Sequence, residues 1–195
     1  MREIQLTHPL PDGAKSIESL KIRDGDEVVA TDFMYQEIDG FEARSQALIA
    51  SLTGLPEASV RKLRGKDYFA AQNAALAIIG EIMLENDNTP VEPAQTLTLK
   101  VPVPIGSSGR TISELKFRAH TLAEDYLGLD VDGGIARAIA MIASFTSNDV
   151  SIIRRISGSD FLAANKKTTA IIEADSAFDA PPENDDTEDA DPKKQ

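Results

Sequence analysis

One long segment of this chain occurs twice, and the repeat constrains the fold more than any other feature. Residues 43–79 and 136–172 align without a gap at an offset of 93 residues, and about 15 of the 37 aligned positions are identical. Several of the other positions exchange side chains within a class, as at Leu52 and Phe145. The period has the size of a small domain, whereas solenoid units are shorter. The sequence therefore predicts a tandem duplication.

Each repeat begins with two short alternating segments around a turn that is rich in proline and glycine. This pattern is typical of a β-hairpin. The second segment is nearly the same in both repeats and reads IESLKIR and then ISELKFR. The predicted strands and turns are 3–8, 9–13 and 16–23 in the first repeat, and 96–101, 102–109 and 111–118 in the second.

Apolar residues at helical spacing follow each hairpin. Gly54 is predicted to cap the end of one helix, Pro56 to begin the next, and Asn148 to cap its counterpart in the second repeat. The predicted fold class is α+β, with two homologous units that each contain a β-hairpin followed by three to four short α-helices. The predicted helices of the first repeat are 27–37, 41–52, 56–63 and 67–84.

Two polar segments divide the chain. Residues 85–93 contain two prolines, and residues 175–191 carry eight carboxylates. A segment as acidic as the second one cannot bury enough apolar surface to offset the entropy lost on ordering. The predicted division is a first repeat (1–84, here copy one), a linker (85–95), a second repeat (96–174, here copy two) and a disordered acidic tail (175–195).

The composition restricts the class of partner and the compartment. A formal net charge of −12 argues against duplex nucleic acid or an anionic membrane surface as the main partner. The absence of cysteine excludes disulfides and thiol chemistry. No apolar run approaches the ~18 residues of a membrane span, and the first residues lack the features of a signal peptide. We expect a soluble cytoplasmic protein.

The sequence offers no catalytic, metal-binding or cofactor-binding constellation, so we expect no cofactor. Its two histidines, His8 and His120, occupy non-equivalent places in the repeat and have no converging partners. They are predicted to lie on the surface. An enzyme would require a pocket between the copies with converging Asp, Arg and His side chains, and we predict that the protein is not an enzyme.

Two clusters of large apolar residues are candidates for binding a partner. Three consecutive large side chains cannot all face one core on a helix, so at least one of them should be exposed. Exposed aromatic and methionine side chains are favoured at partner surfaces, although contact between the two copies explains the clusters equally well. The candidate residues are Phe33, Met34, Tyr35, Tyr126, Leu127 and Leu129.

Two basic pairs also recur, Arg61 with Lys62 and Arg154 with Arg155. They are predicted in the last turn of the short helix, where positive charge complements the helix dipole. Asp67 and its counterpart Asp160 are candidate ion-pair partners. The alternative is a regulatory or adaptor module that binds RNA or another protein through these pairs, but two charges without interleaved aromatic residues form a weak footprint.

The order of a hairpin, a helix and the segment ALIASLTGLPEASVRKLRGKDYFAAQNAAL resembles the tail assembly chaperone family of tailed bacteriophages, as in Mu-like phages. The resemblance covers about 85% of the chain. Copy two carries the pattern more loosely, and the duplication departs from the usual single unit of the family. The matching residues are Leu6, Pro9, residues 17–23 and 49–55, Val60, Leu63, Asp67 and Tyr68 in copy one, and residues 142–146, Ile153, Ile156, Asp160 and Phe161 in copy two.

This resemblance implies a non-enzymatic role in virion assembly. Proteins of the family are thought to hold the long coiled-coil tape-measure protein in a soluble, assembly-competent state. The implied partner is therefore a phage tape-measure protein, with other tail proteins or a second copy of the chain as further possibilities. The implied location is the host cell cytoplasm, with no place in the mature virion.

Overall fold

The structure, a computed structural model, describes residues 1–12, 15–88, 95–106 and 109–178. It has an α+β fold with two antiparallel hairpins, which confirms the predicted class. The strands are β1 (Arg2–Asp12), β2 (Lys15–Ile22), β3 (Thr96–Ile105) and β4 (Arg110–Lys116), and the helices are α1 (Phe41–Thr53), α2 (Glu57–Val60), α3 (Gly65–Asn88), α4 (Gly134–Thr146), α5 (Val150–Ile153) and α6 (Gly158–Phe178).

The first strand of each hairpin is longer than the sequence suggests. β1 continues through the predicted turn to Asp12, and its register with β2 shifts between Gln5 and Leu10. β3 shows the same irregularity between Thr98 and Val103. Prolines are tolerated in these strands because each sheet has only two strands, and edge strands accept residues without an amide donor. Residues 13–14 and 107–108 of the predicted turns lie outside the described part of the chain.

A 3₁₀ segment replaces the α-helix predicted at residues 27–37. A short turn at Gly25–Glu27 is capped by Asp24, and a second 3₁₀ stretch follows at Ala30–Glu37. The two valines between them are extended, in keeping with the preference of β-branched residues for strand geometry. Copy two has one such stretch at Ala123–Asp130. We call Ala30–Glu37 and Ala123–Asp130 the 3₁₀ segments of copy one and copy two.

The helix boundaries confirm one predicted cap and correct two. Gly54 ends α1 in the left-handed region with φ 72°, as the sequence predicts. Pro56 precedes α2 as its N-cap, outside the first helical turn. Asp149, and not Asn148, caps α5, because its carboxylate accepts the Ser151 amide.

The long helices extend into both polar segments. α3 continues to Asn88, so the first four residues of the predicted linker are helical. α6 continues to Phe178, so the first four residues of the predicted tail are helical too. Residues 89–94 and 179–195 lie outside the described part of the chain.

The two copies share one hydrophobic core. Phe33 of copy one and Phe161 of copy two are both fully buried, and their ring centroids lie 5.8 Å apart. Val29 forms an isolated antiparallel bridge with Ser157. Glu37 accepts hydrogen bonds at the start of α4, including one of 2.7 Å from the Ile135 amide. Elements of residues 1–84 and of residues 96–174 therefore follow nearly the same order and pack directly against each other.

Candidate functional site

A buried carboxylate fixes the 3₁₀ segment of copy one. Asp32 is only 2% exposed, and its Oδ1 accepts hydrogen bonds from Arg23 Nη2 and Ser51 Oγ, each at 2.5 Å. Its Oδ2 accepts the Val29 amide at 2.8 Å. Arg23 follows β2 and Ser51 belongs to α1, so the hairpin, the 3₁₀ segment and the helix meet at one carboxylate. This cluster determines the directions of the large side chains that follow Asp32.

Copy two contains the same cluster. Asp125, only 1% exposed, accepts hydrogen bonds from Arg118, from Ser144 Oγ at 2.5 Å and from the Leu122 amide at 2.7 Å. Sequence reasoning missed both clusters. A signal was present, because an Arg, an Asp and a Ser recur in both copies at nearly the same spacing.

Copy one has a partly apolar groove between its 3₁₀ segment, α1 and α3. Tyr35, Phe41, Leu76 and Met83 line it, and its volume is about 440 Å³. Phe41 is 62% exposed and Met83 is 44% exposed, so neither side chain is needed for the core. We call this feature the α1–α3 groove. Apolar side chains with this exposure are typical of surfaces that bind a partner.

An apolar row on α3 continues the α1–α3 groove. Phe69, Leu76 and Met83 are seven residues apart, and because two helical turns take about seven residues, they lie on one side of α3. Phe69 is 57% exposed. The row belongs to copy one alone, because only the first of the three aligned positions in copy two holds an apolar residue. Those positions are Leu162, Thr169 and Ser176.

The three candidate partner-binding residues of copy one, Phe33, Met34 and Tyr35, lie in three different environments. Phe33 is fully buried against Phe161, so it belongs to the core, which corrects its prediction as a partner-binding residue. Met34 lines a cavity of about 460 Å³ between the copies, together with Ile139. Tyr35 lines the α1–α3 groove. Contact between the copies therefore explains the first two residues, and only Tyr35 lies at the groove.

The predicted residues of copy two lie in its 3₁₀ segment. Leu127 is 68% exposed and available to a partner. Among the exposed large apolar residues of the described chain, it has the highest exposed fraction. The side chains of Tyr126 and Leu129 lie outside the described part of the structure.

The first basic pair follows α2, beyond its last turn. Arg61 is the C-cap of α2 and pairs with Glu57 at 3.1 Å. Lys62 is exposed. The ion pair predicted with Asp67 is not formed, because that carboxylate is buried and bonded to the hairpin.

The second basic pair differs from the first in its surroundings. Arg154, the C-cap of α5, lines the cavity between the copies. The position four residues before it is Val150, so it lacks the carboxylate that Glu57 provides in copy one. Arg155 Nε donates to the Ser151 carbonyl at 3.1 Å. The predicted ion pair with Asp160 is also absent from the described residues.

Asp67 and Asp160 instead fasten each long helix to the irregular part of its hairpin. Asp67 accepts hydrogen bonds of 3.0 Å from the amide and the hydroxyl of Thr7. Asp160 accepts the Lys100 amide at 3.1 Å, at the equivalent place. These carboxylates satisfy strand amides that the shifted register leaves without a partner on the neighbouring strand.

We expect acidification to remove the stabilisation that Asp67 provides. The amide of Thr7 holds the pKa of this carboxyl below its usual range. A carboxyl with a depressed pKa in the folded state stabilises the fold above the unfolded-state pKa of about 4, and the stabilisation is lost as the pH falls through the folded-state pKa. In urea unfolding, the stability difference between the wild type and Asp67→Asn should be largest near neutral pH and shrink on acidification. A difference that stays constant down to the acid limit would contradict this role.

The pKa of Tyr68 is shifted as well. Partial burial, followed by its hydrogen bond of 2.5 Å to Glu42, raises the pKa of the Tyr68 hydroxyl to about 12. The hydroxyl therefore stays protonated at physiological pH and acts as a donor that links α3 to α1.

His8 and His120 are exposed, as predicted. No three His, Asp or Glu side chains within residues 1–12, 15–88, 95–106 and 109–178 are grouped so that they could hold a metal ion. In the same ranges, every helix is too short or too polar to cross a membrane.

Comparison of the chain with family models, with curated proteins and with solved structures found no match. The α1–α3 groove is therefore the observation on which a functional proposal depends, beside the resemblance in the sequence.

Proposed function

We propose that this protein is a non-enzymatic tail assembly chaperone that binds a tape-measure protein and keeps it soluble during phage tail assembly. The α1–α3 groove is the observation that carries the proposal. It offers exposed apolar side chains on a chain with a formal net charge of −12.

The spacing of the apolar row fits a client that is a coiled coil. A coiled-coil helix presents apolar residues in heptads, and each one inserts between residues of the facing helix. Phe69, Leu76 and Met83 repeat at the same interval of seven residues. An amphipathic client helix can therefore lie along α3 with its apolar seam in the groove, which is a recurrent mode of helix recognition.

The charge of the chain supports the same role. A formal net charge of −12 keeps a complex with an aggregation-prone client dispersed. The client side of the contact is the apolar seam, because the groove itself is lined mainly by apolar side chains with Arg44 at its edge.

Substitution within the groove should abolish client solubilisation. Phe41→Asp combined with Met83→Asp places two carboxylates where an apolar seam would lie, at positions exposed enough to leave the fold intact. We expect the soluble fraction of a co-expressed tape-measure protein to fall by about tenfold, to the level without the chaperone, because an unpaired carboxylate is costly to bury against an apolar seam. The measurement is the soluble fraction of the client after centrifugation.

Val101→Asp is the matched control, because Val101 is 43% exposed, like Met83, but lies on β3 of copy two. It should leave client solubility unchanged. If both variants reduced client solubility equally, the effect would come from the added negative charge and not from the groove. A client that is equally insoluble with and without the wild-type protein would refute the proposed function.

The alternative, an adaptor that binds RNA through the repeated basic pairs, has less support. Arg61 is already paired with Glu57, and Arg154 lines the cavity between the copies. A gel shift with RNA at ~150 mM salt distinguishes the two functions, since a binder that relies on a basic patch gives a salt-sensitive shift.

A further inference from the structure

The two copies contact each other through two different surfaces. Copy one contributes its 3₁₀ segment and α3, and copy two contributes its α5–α6 turn, the start of α4 and α6. Two backbone hydrogen bonds join them, from Gly158 to the Val28 carbonyl at 2.6 Å and from Ala30 to the Ile156 carbonyl at 3.1 Å. Because the element order repeats, each copy has a surface of both kinds. A head-to-tail contact within the chain uses one surface of each kind and leaves one of each unused.

Identical residues at the used and unused surfaces differ in exposure. Ala30 in copy one is fully buried, whereas the equivalent Ala123 in copy two is exposed. A Cβ placed on Gly158 would lie 3.0 Å from the Phe33 ring, whereas one placed on the equivalent Gly65 meets nothing within 4 Å. The same local structure is therefore covered by the other copy in one case and open in the other.

The start of the first long helix after each 3₁₀ segment shows the same contrast. Gly133 has φ 90°, and a Cβ there would lie 2.5 Å from the Glu37 carboxylate, which caps α4 from the other copy. Gly40 has φ 89° and nothing within 4 Å of the same position. Asp130 is the copy-two residue equivalent to Glu37, and it is exposed.

The two unused surfaces have opposite charge. The α2–α3 turn of copy one carries four exposed cations within six residues. Within the described part of the chain, no hydrogen bond or ion pair engages the side chains of Lys62, Arg64 or Lys66. The 3₁₀ segment of copy two and the residues on either side of it expose carboxylates and two apolar side chains. These exposed residues are Leu122, Glu124, Leu127, Asp130 and Asp132.

We propose that the partner of both unused surfaces is a second copy of this chain. The 3₁₀ segment of copy two binds the α2–α3 turn and the start of α1 in the next chain, and so repeats the internal contact between chains. In this contact Asp130 stands where Glu37 stands internally, and Leu127 stands where Met34 lines the internal cavity. Opposite charges at the two surfaces favour this register over other pairings.

Such a contact does not close on itself within a pair. Because it joins two different surfaces, each added chain presents a new free surface, and the product is an open row or, if the rotation closes, a ring. The contact lacks the linker that raises the effective concentration within the chain, so we expect it to be weaker than the internal one and dependent on protein concentration. This inference does not depend on the proposed function, because it needs no client.

Sedimentation velocity of the full-length protein without client tests the proposal. The wild type should form species larger than dimers as its concentration rises, and high salt should reverse this. Arg64→Ala with Lys66→Ala removes the charge of one surface, and Leu127→Arg with Asp130→Arg blocks the other. All four residues are exposed, so both variants should fold. Each variant alone should stay monomeric, and an equimolar mixture should form one-to-one dimers and nothing larger, because each supplies the surface that the other lacks.

Four results would overturn the proposal. The first is a wild type that stays monomeric at every concentration, and the second is association that neither pair of substitutions affects. The third is a mixture of the two variants that remains monomeric under conditions in which the wild type associates. The fourth is wild-type association that disappears when residues 179–195 are removed, which would assign the partner of the basic turn to the acidic tail and not to the 3₁₀ segment of copy two.

Discussion

Replacement of Asp32 by alanine should destabilise the protein by about 3 kcal/mol, because it breaks a buried, hydrogen-bonded ion pair by removing one partner. The carboxylate is 2% exposed and bonds Arg23, Ser51 and the Val29 amide. Without it, the partly buried Arg23 guanidinium keeps only two carbonyl acceptors, and the Val29 amide loses its acceptor. The free energy of unfolding from urea titration measures the loss.

Glu57→Ala is the matched control, since it also removes one carboxylate from an Arg–carboxylate pair. The pair with Arg61 is exposed, with 63% of the arginine and 49% of the glutamate side chain accessible. Exposed pairs of this kind contribute about 0.5 kcal/mol. An Asp32→Ala variant that loses no more stability than Glu57→Ala would show that the cluster does not hold the 3₁₀ segment in place.

Replacement of Phe33 by alanine should have a similar or larger effect, of about 4 kcal/mol. The side chain is fully buried, packs against Phe161 and lies close to Gly158, so its removal leaves a cavity between the two copies. Phe69→Ala removes the same side chain from a position that is 57% exposed, and its effect should stay within about 0.5 kcal/mol.

Because Phe33 and Phe161 lie in different copies, their coupling reports on the contact between them. A double-mutant cycle with Phe161→Ala should give an interaction energy of about 1 kcal/mol. The wild type should unfold in a single transition by both fluorescence and circular dichroism. Additive effects and two separate transitions would show that each copy folds on its own, contrary to the shared core.

The repeat predicted the fold class because apolar periodicity is a local property. The hairpins and long helices follow from alternation and helical spacing, and Gly54 caps α1 as expected. The prediction of an α-helix at residues 27–37 was wrong, because tertiary contacts determine the backbone conformation of this segment. The extended Val29 pairs with Ser157 of the other copy, 128 residues away in sequence, and no local pattern encodes such a contact.

The polar residues that recur in both copies held more information than sequence reasoning extracted. Ser51 and Asp67 make hydrogen bonds equivalent to those of Ser144 and Asp160 in copy two. The same residue type therefore recurs at these positions because it has the same structural role in both copies. Arg61 is the exception, because its counterpart Arg154 has a different environment. The α1–α3 groove could not be predicted, since the exposure of Phe41 and Met83 depends on how α1 crosses α3.

The carboxylate of Glu37 gives the order of the copies along the chain a consequence for biosynthesis. Copy one leaves the ribosome first, and N-terminal units generally fold first during synthesis. When the first turn of α4 emerges, the carboxylate that accepts the amides of Ile135 and Ala136 has already been synthesised. Copy two therefore folds in the presence of copy one, which supplies the N-terminal cap of α4. A circularly permuted chain that begins with copy two would have to form α4 before its cap exists.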